Sequence, residues 1–220
     1  MTVLFIVCLI TSNIFVPRVW QVGHTSLQLS GAVILFPISY ILNDCITEVY
    51  GYRKARFVIW LAFVMSVFVA LASALVCALP QPVEDGSRAV ADSFNSLFAL
   101  VPRTTVASLL AFLIGSNANA LIVSRMKVST KGRGFGWRAI LSSLGGELLD
   151  SCVFYPLAFW GLMSPKAIVS IIFTQVTVKV LYEIIILPVT AKAVKELKKK
   201  EGVDTFDENI SYNPFKLSDI

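Results

Sequence analysis

Apolar residues run along this chain in blocks of roughly twenty, the length a membrane-crossing helix needs, separated by short polar segments. The clearest block, FVIWLAFVMSVFVALASALVCAL at 57–79, holds no charged residue. As a helix rising about 1.5 Å per residue it is long enough to cross a hydrocarbon core of about 30 Å. The same pattern predicts helices over about 3–15, 31–50, one within 94–123, 139–160 and 168–193. That makes six. The region 94–123 exceeds one untilted span and contains Pro102 followed by Arg103, which predicts a break there, a half-helix and then a full one. The opening MTVLFIVCLITSNIF lacks the basic start and small-residue cleavage site of a signal peptide, and reads as a first membrane helix with a short start.

Composition agrees with the pattern. Of 220 residues, 56% are hydrophobic and 15% charged, with a mean hydropathy of +0.74, well beyond an ordinary soluble domain. The expected fold class is an all-α integral membrane protein with six transmembrane helices as one domain over 1–200. A polar, acidic segment at 201–220, without apolar period, is expected to be a flexible tail. The net charge of +5 and pI near 9.1 do not point to nucleic acid, because the basic residues fall in short runs between apolar blocks. Arg53, Lys54 and Arg56, then Arg125, Lys127, Lys131, Arg133 and Arg138, then the lysines of 192–200, all belong to one side of a six-helix arrangement. The positive-inside rule makes that side cytoplasmic, with both termini there. Trp20 to Ser30, the polar loop 81–92 and the turn at 161–165 belong to the other side. Cys8, Cys45, Cys77 and Cys152 are scattered singly, without metal-ligand spacing, and read as reduced core residues. No metal or cofactor is expected.

Ionisable groups inside these blocks are expensive in lipid, at roughly 2.5 to 3.5 kcal/mol each on insertion scales, and should face a shared interior. The second helix carries Asn43, Asp44 and Glu48, its carboxylates four apart on one face. Glu48 also has the alternative of meeting the basic loop at the membrane edge. The fifth carries Glu147 and Asp150 beside Gly145 and Gly146, which permit close backbone approach. The sixth carries Gln175, Lys179 and Glu183 along one stripe, with Lys179 and Glu183 also readable as a buried ion pair. The fourth adds Arg103, Ser108, Asn117 and Asn119, the asparagines being able either to bond neighbouring helices or to face a ligand. Four helices thus supply acidic, amide and basic groups, which predicts a polar ligand pocket or a conduction path. Carboxylates accept from N–H donors, and amides present a donor beside an acceptor, as the edge of a nitrogen heterocycle requires.

Four blocks in order, FPISYILNDCITEVYGYRKAR, VPRTTVASLLAFLIGSNAN, SSLGGELLDSCVFYPLAFWG and FTQVTVKVLYEIIILP, resemble the queuosine precursor transporters, also called the vitamin uptake transporter family. The likeness covers nearly all of 36–188, and the first block is its most specific part. The resemblance implies a six-helix inner-membrane importer, similar in fold to the substrate-binding component of energy-coupling-factor vitamin transporters. Its cargo would be 7-deazaguanine bases such as preQ0, preQ1 or queuine, used for tRNA modification. On that reading Asp44, Glu147 and Asp150 accept from the purine-like edge, Asn43 and Gln175 orient it, and Arg103 and Lys179 supply counter-charge. Glu48, Asn117 and Glu183 complete the candidate set. Two other readings stand beside it: a substrate-binding component of a multi-subunit vitamin or nucleobase transporter, and an intramembrane enzyme using paired carboxylates. The last lacks any nucleophile, GxGD-like or HExxH motif, and no nucleotide-binding motif points to ATP hydrolysis. An energising partner or a homo-oligomer is left open.

Overall fold

The computed structural model describes residues 1–15, 18–21, 28–98, 102–161, 164–208 and 210–216. Helix α1 (Thr2–Phe15) leads into a small antiparallel ribbon, β1 (Val19–Gln21) against β2 (Gln28–Ser30), with Trp20 opposite Leu29. A 3₁₀ turn (Gly31–Ile34) then enters α2 (Phe36–Tyr50). Next come α3 (Tyr52–Cys77), α4 (Asp85–Phe98), α5 (Pro102–Ser129), α6 (Phe135–Phe159) and α7 (Pro165–Glu201).

Local chemistry sets these boundaries. Gly51 alone separates α2 from α3, with φ +85° and ψ 169°, a region that residues bearing a Cβ rarely enter. Its N–H donates to the Thr47 carbonyl at 2.9 Å and closes α2. Pro102 opens α5 at a position where its missing N–H costs nothing. The Ser164 hydroxyl caps α7 by accepting from the Ala167 N–H at 3.3 Å, with Pro165 next in line. Gly202, at φ +65°, ends α7.

The predicted helices are present with shifted ends. α3 starts directly after Gly51 rather than at residue 57, and α7 runs 37 residues, roughly 55 Å at helical rise, so its lysine-rich end overruns a bilayer. The expected polar loop over 81–92 is instead mostly helix. There, α4 alternates polar and apolar residues at helical period, buries no residue among the bundle and packs chiefly against α3. The expected break falls between α4 and α5, at residues outside the described set.

Among the described residues, four helical segments are long and apolar enough to cross a membrane: Gly31–Tyr50, Tyr52–Cys77, Val106–Ser129 and Pro165–Glu201. The chain is a multi-pass membrane protein, nearly all helix. α1, with 14 residues, is shorter, and α6 is interrupted by Glu147 and Asp150, yet both pack within the same bundle. α2 and α5 form its centre, while α3 and α7 present apolar rows outward, among them Phe68, Leu71 and Leu75 on α3 and Phe173, Ile185 and Val189 on α7. Such rows suit lipid tails. Cys8 and Cys45 lie in the core, but Cys77 is half-buried and Cys152 exposed on an outer helix face, so only two of the four are the core thiols expected.

The interior is divided. On one side of α2, Phe5 and Leu9 of α1, Ile46, five residues of α3 and Phe112 and Ala120 of α5 make an apolar core. On its other side, towards α5, α6 and α7, the buried residues are polar.

Candidate functional site

α5 and α6 make the most extensive contact of the bundle, and two glycines allow it. A Cβ on Gly115 would lie 2.8 Å from the Gly146 carbonyl oxygen and 2.7 Å from the Tyr40 hydroxyl; one on Gly146 would lie 2.9 Å from the Gly115 carbonyl oxygen and 2.9 Å from Asn119 Cβ. The backbones therefore touch where side chains would otherwise stand, and Tyr40, Asn119 and Asp150 converge around the contact.

Asp44 is fully buried on α2, and its Oδ1 accepts from Asn119 Nδ2 on α5 at 2.7 Å. Across the α2–α7 contact the Glu183 carboxyl, 5% exposed, faces that of Asp44, with Ser143 of α6 beside it. Lys179, one turn before Glu183, turns instead to α6: its Nζ donates to Glu147 Oε2 at 2.5 Å and lies 3.7 Å from Asp150 Oδ2. It also sits 4.3 Å from the centroid of the Phe36 ring, a cation–π contact. The expected alternative pairing of Lys179 with Glu183 is not what the structure holds.

This chamber is under-satisfied. Among the described residues, Tyr40 Oη, Asp44 Oδ2, Asn119 Oδ1, Ser143 Oγ and Glu183 Oε1 are buried with no hydrogen-bond partner. Buried polar atoms are ordinarily paired, because each unpaired one loses its hydration for nothing. Five converging from four helices describe a place where something else supplies the partners.

The other sequence-derived candidates are placed as follows. Asn43 donates to the Ser116 carbonyl at 3.1 Å and so ties α2 to the α5 backbone. Gln175 is half-buried, one turn before Lys179. Asn117 faces away from the acids, donating to the Leu113 carbonyl of its own helix at 2.8 Å. It lines a separate, otherwise apolar cavity of about 260 Å³ with Tyr52, Trp60, Leu113, Leu121 and Phe215. The Arg103 side chain lies outside the described residues. Asp150, beside Lys179, is 8% exposed.

Glu48 lies apart from the chamber. Its carboxylate takes a two-pronged pair from Arg138, at 2.6 and 3.0 Å, and a third hydrogen bond from Lys198 at 2.6 Å. Lys127 donates to the Glu48 carbonyl at 2.5 Å and, with Lys198, holds Asp204 at 2.5 and 2.9 Å. Burial works against the charged form of Asp204, but the hydrogen bonds from Lys127 and Lys198 outweigh it and hold the carboxyl below its ordinary range. Two of the three basic segments thus meet at one end of the bundle, around one acid.

The segment after Glu201, expected as a flexible extension, is packed onto this end. Asp207 is buried and accepts from the Tyr52 N–H at 2.7 Å and from the Ser124 hydroxyl at 2.5 Å. Arg56 donates to the carbonyls of Ser211 and Asn213, and Trp60 Nε1 to that of Pro214.

Tyr40, Asn119 and Ser143 are chamber residues that the sequence-derived set omits. Tyr40 had a signal, standing four before Asp44 on the same helix face. Asn119 was visible beside Asn117, and two residues of helix turn its side chain by about 200°.

The structure is thus a helical membrane bundle with a buried polar chamber walled by four helices. Residues 30–193 match the family described as "Putative vitamin uptake transporter", and the chain belongs to it. It is similar to the "Probable queuosine precursor transporter" of Bacillus subtilis (strain 168), 22% identical over 169 residues, which cover 76% of this chain and 72% of that one. No solved structure matches.

Proposed function

We propose that this chain is an importer of queuosine precursors, 7-deazaguanine bases, lodged in the inner membrane with six spans and both termini cytoplasmic. The relative named above supports the cargo, and the gathering of Arg138, Lys127 and Lys198 at one end supports the orientation. The observation that carries the reading is the set of unpaired oxygens between α2, α5, α6 and α7. A 7-deazaguanine offers an N1–H and an exocyclic amine on one edge, which a carboxylate accepts two at a time, and a carbonyl that an amide or cation can meet. Asp44, Glu147 and Asp150 are the acceptors available, with Asn119 and Lys179 as donors. Asn43, Gln175, Glu183, Arg103 and Asn117 remain as supporting candidates, and Glu48 as a support of the fold at the basic end.

The test is rescue of queuosine in tRNA. Cells lacking their own precursor transporter and precursor synthesis express this chain and receive preQ0, preQ1 or queuine at low concentration, with the enzymes each needs. Rescue by at least one compound is expected; none, with the protein verified in the membrane, overturns the reading. Asp44→Asn removes a charge-assisted acceptor worth about 1.5 to 3 kcal/mol, so uptake at limiting substrate falls roughly 10- to 100-fold. Membrane insertion is unaffected, because losing a charge lowers its cost.

The family description favours a second reading, a substrate-binding component of a larger vitamin transporter. Copurification from native membranes separates the two, since a stoichiometric energising partner belongs only to the second.

A further inference from the structure

Among the described residues, every buried carboxylate of the bundle except two has a cation or two hydrogen-bond donors to hold it. Glu48 has Arg138 and Lys198, Glu147 and Asp150 share Lys179, and Asp207 has the α3 N-terminus and Ser124. Asp44 and Glu183, both buried, have only each other, and Asp44 Oδ2 and Glu183 Oε1 accept no hydrogen bond. Asn119 on α5 and Ser143 on α6 stand around them, both neutral; Tyr40 and Glu48 flank the pair on α2, the latter already charge-balanced; and Lys179 on α7 is committed to Glu147 and Asp150 on α6.

Two carboxylates facing each other in a dry interior repel and are desolvated together, whereas one proton between them turns the contact into an O–H···O hydrogen bond. We propose that Asp44 and Glu183 form a proton-carrying site, whose loading from one side of the membrane and release to the other couples transport to proton entry. The pair bridges α2 and α7, whose other charged contact at the chamber among the described residues is the Lys179 ammonium over the Phe36 ring. With the proton in place the two helices close on each other; without it like charges part them, and the chamber opens at that seam. The site thus links occupancy by a proton to the packing of two helices, which is what coupling requires. It rests on the reading of the chain as a transporter, and identifies what would drive accumulation.

Two measurements separate this proposal from that reading. In proteoliposomes with the membrane potential clamped to zero, an outward-acid pH gradient is expected to accelerate entry of a labelled 7-deazaguanine base at least several-fold. Glu183→Gln, whose amide donates to an ionised Asp44 without titrating, is expected to lose the response to the gradient, measured relative to its own gradient-free exchange of labelled for unlabelled base. Wild-type entry indifferent to the gradient, or a Glu183→Gln protein that still responds, overturns the proposal while leaving the transporter reading intact. Absence of any protein-dependent exchange defeats the transporter reading instead. The proton site itself is then read without substrate: the infrared difference between wild-type and Glu183→Gln protein is expected to show a protonated-carboxyl band lost on substitution, and no such band overturns it.

Discussion

Asp44 and Glu48 show how one turn of helix separates two jobs. They share a face of α2, yet four residues of rise put about 6 Å between them along the axis. That is enough to place Asp44 in the chamber and Glu48 among the cations of the basic end. The spacing of four was legible in the sequence, but the height of the basic groups was not, because it depends on where α6 and α7 dock. Glu48→Gln leaves the buried Arg138 guanidinium without its counter-charge, which costs about 3 to 5 kcal/mol for a pair of this burial. The detergent-solubilised protein is therefore expected to unfold at a clearly lower temperature. Glu48→Gln with Arg138→Met, which removes both charges, is expected to recover part of the loss. Equal melting of the single and double variants would show that the pair is not what holds this end.

At the level of elements, the α5–α6 contact fixes the chamber. The sequence marked Gly145 and Gly146 as a place of close approach, but not the partner, since Gly115 is thirty residues earlier and looks like any helix glycine. The structure separates the pair: a Cβ on Gly145 meets only the mobile tip of Ile122, at 2.6 Å, while one on Gly146 meets the Gly115 backbone oxygen, at 2.9 Å. A side chain tip swings aside; a carbonyl in a helix does not. Gly146→Val is expected to push α5 from α6, at about 1 to 3 kcal/mol of overpacking, and to displace Asn119 from Asp44. Uptake should fall steeply. Gly86→Ala on α4, where a Cβ meets nothing within 4 Å, is the matched control and should transport normally. α4 itself escaped the sequence reading because its apolar stripe is narrow and its net hydropathy low, so it read as loop.

For the whole molecule, the C-terminal segment closes the basic end as a strap rather than trailing from it. No periodicity announced this. The docking is made residue by residue, with Asp204 on Lys127 and Lys198, Phe206 4.6 Å below Lys127, Asp207 on the α3 N-terminus, Tyr212 under Arg125 and Pro214 on Trp60. A polar composition cannot distinguish such a strap from a solvated tail. Gly51 couples strap to bundle, because a Cβ there would lie 2.6 Å from Asp207 Oδ1 and 2.9 Å from Thr205 Cγ2. Ending the chain after Gly202 strands the Tyr52 N–H, Arg56, Trp60 Nε1 and Lys127 together, and the truncated protein is expected to melt at a lower temperature. The Asp204 contacts add a pH signature. Because the folded carboxyl is held below its ordinary range, its contribution is present in full above the unfolded value of about 3.9 and is lost as pH falls through the depressed folded value. The melting gap between wild type and Asp204→Asn should therefore be constant from neutrality down to about pH 4 and close below it. A gap that widens on acidification would mean that Asp204 is not the charged partner of Lys127 and Lys198, and that the strap is held by its other contacts alone.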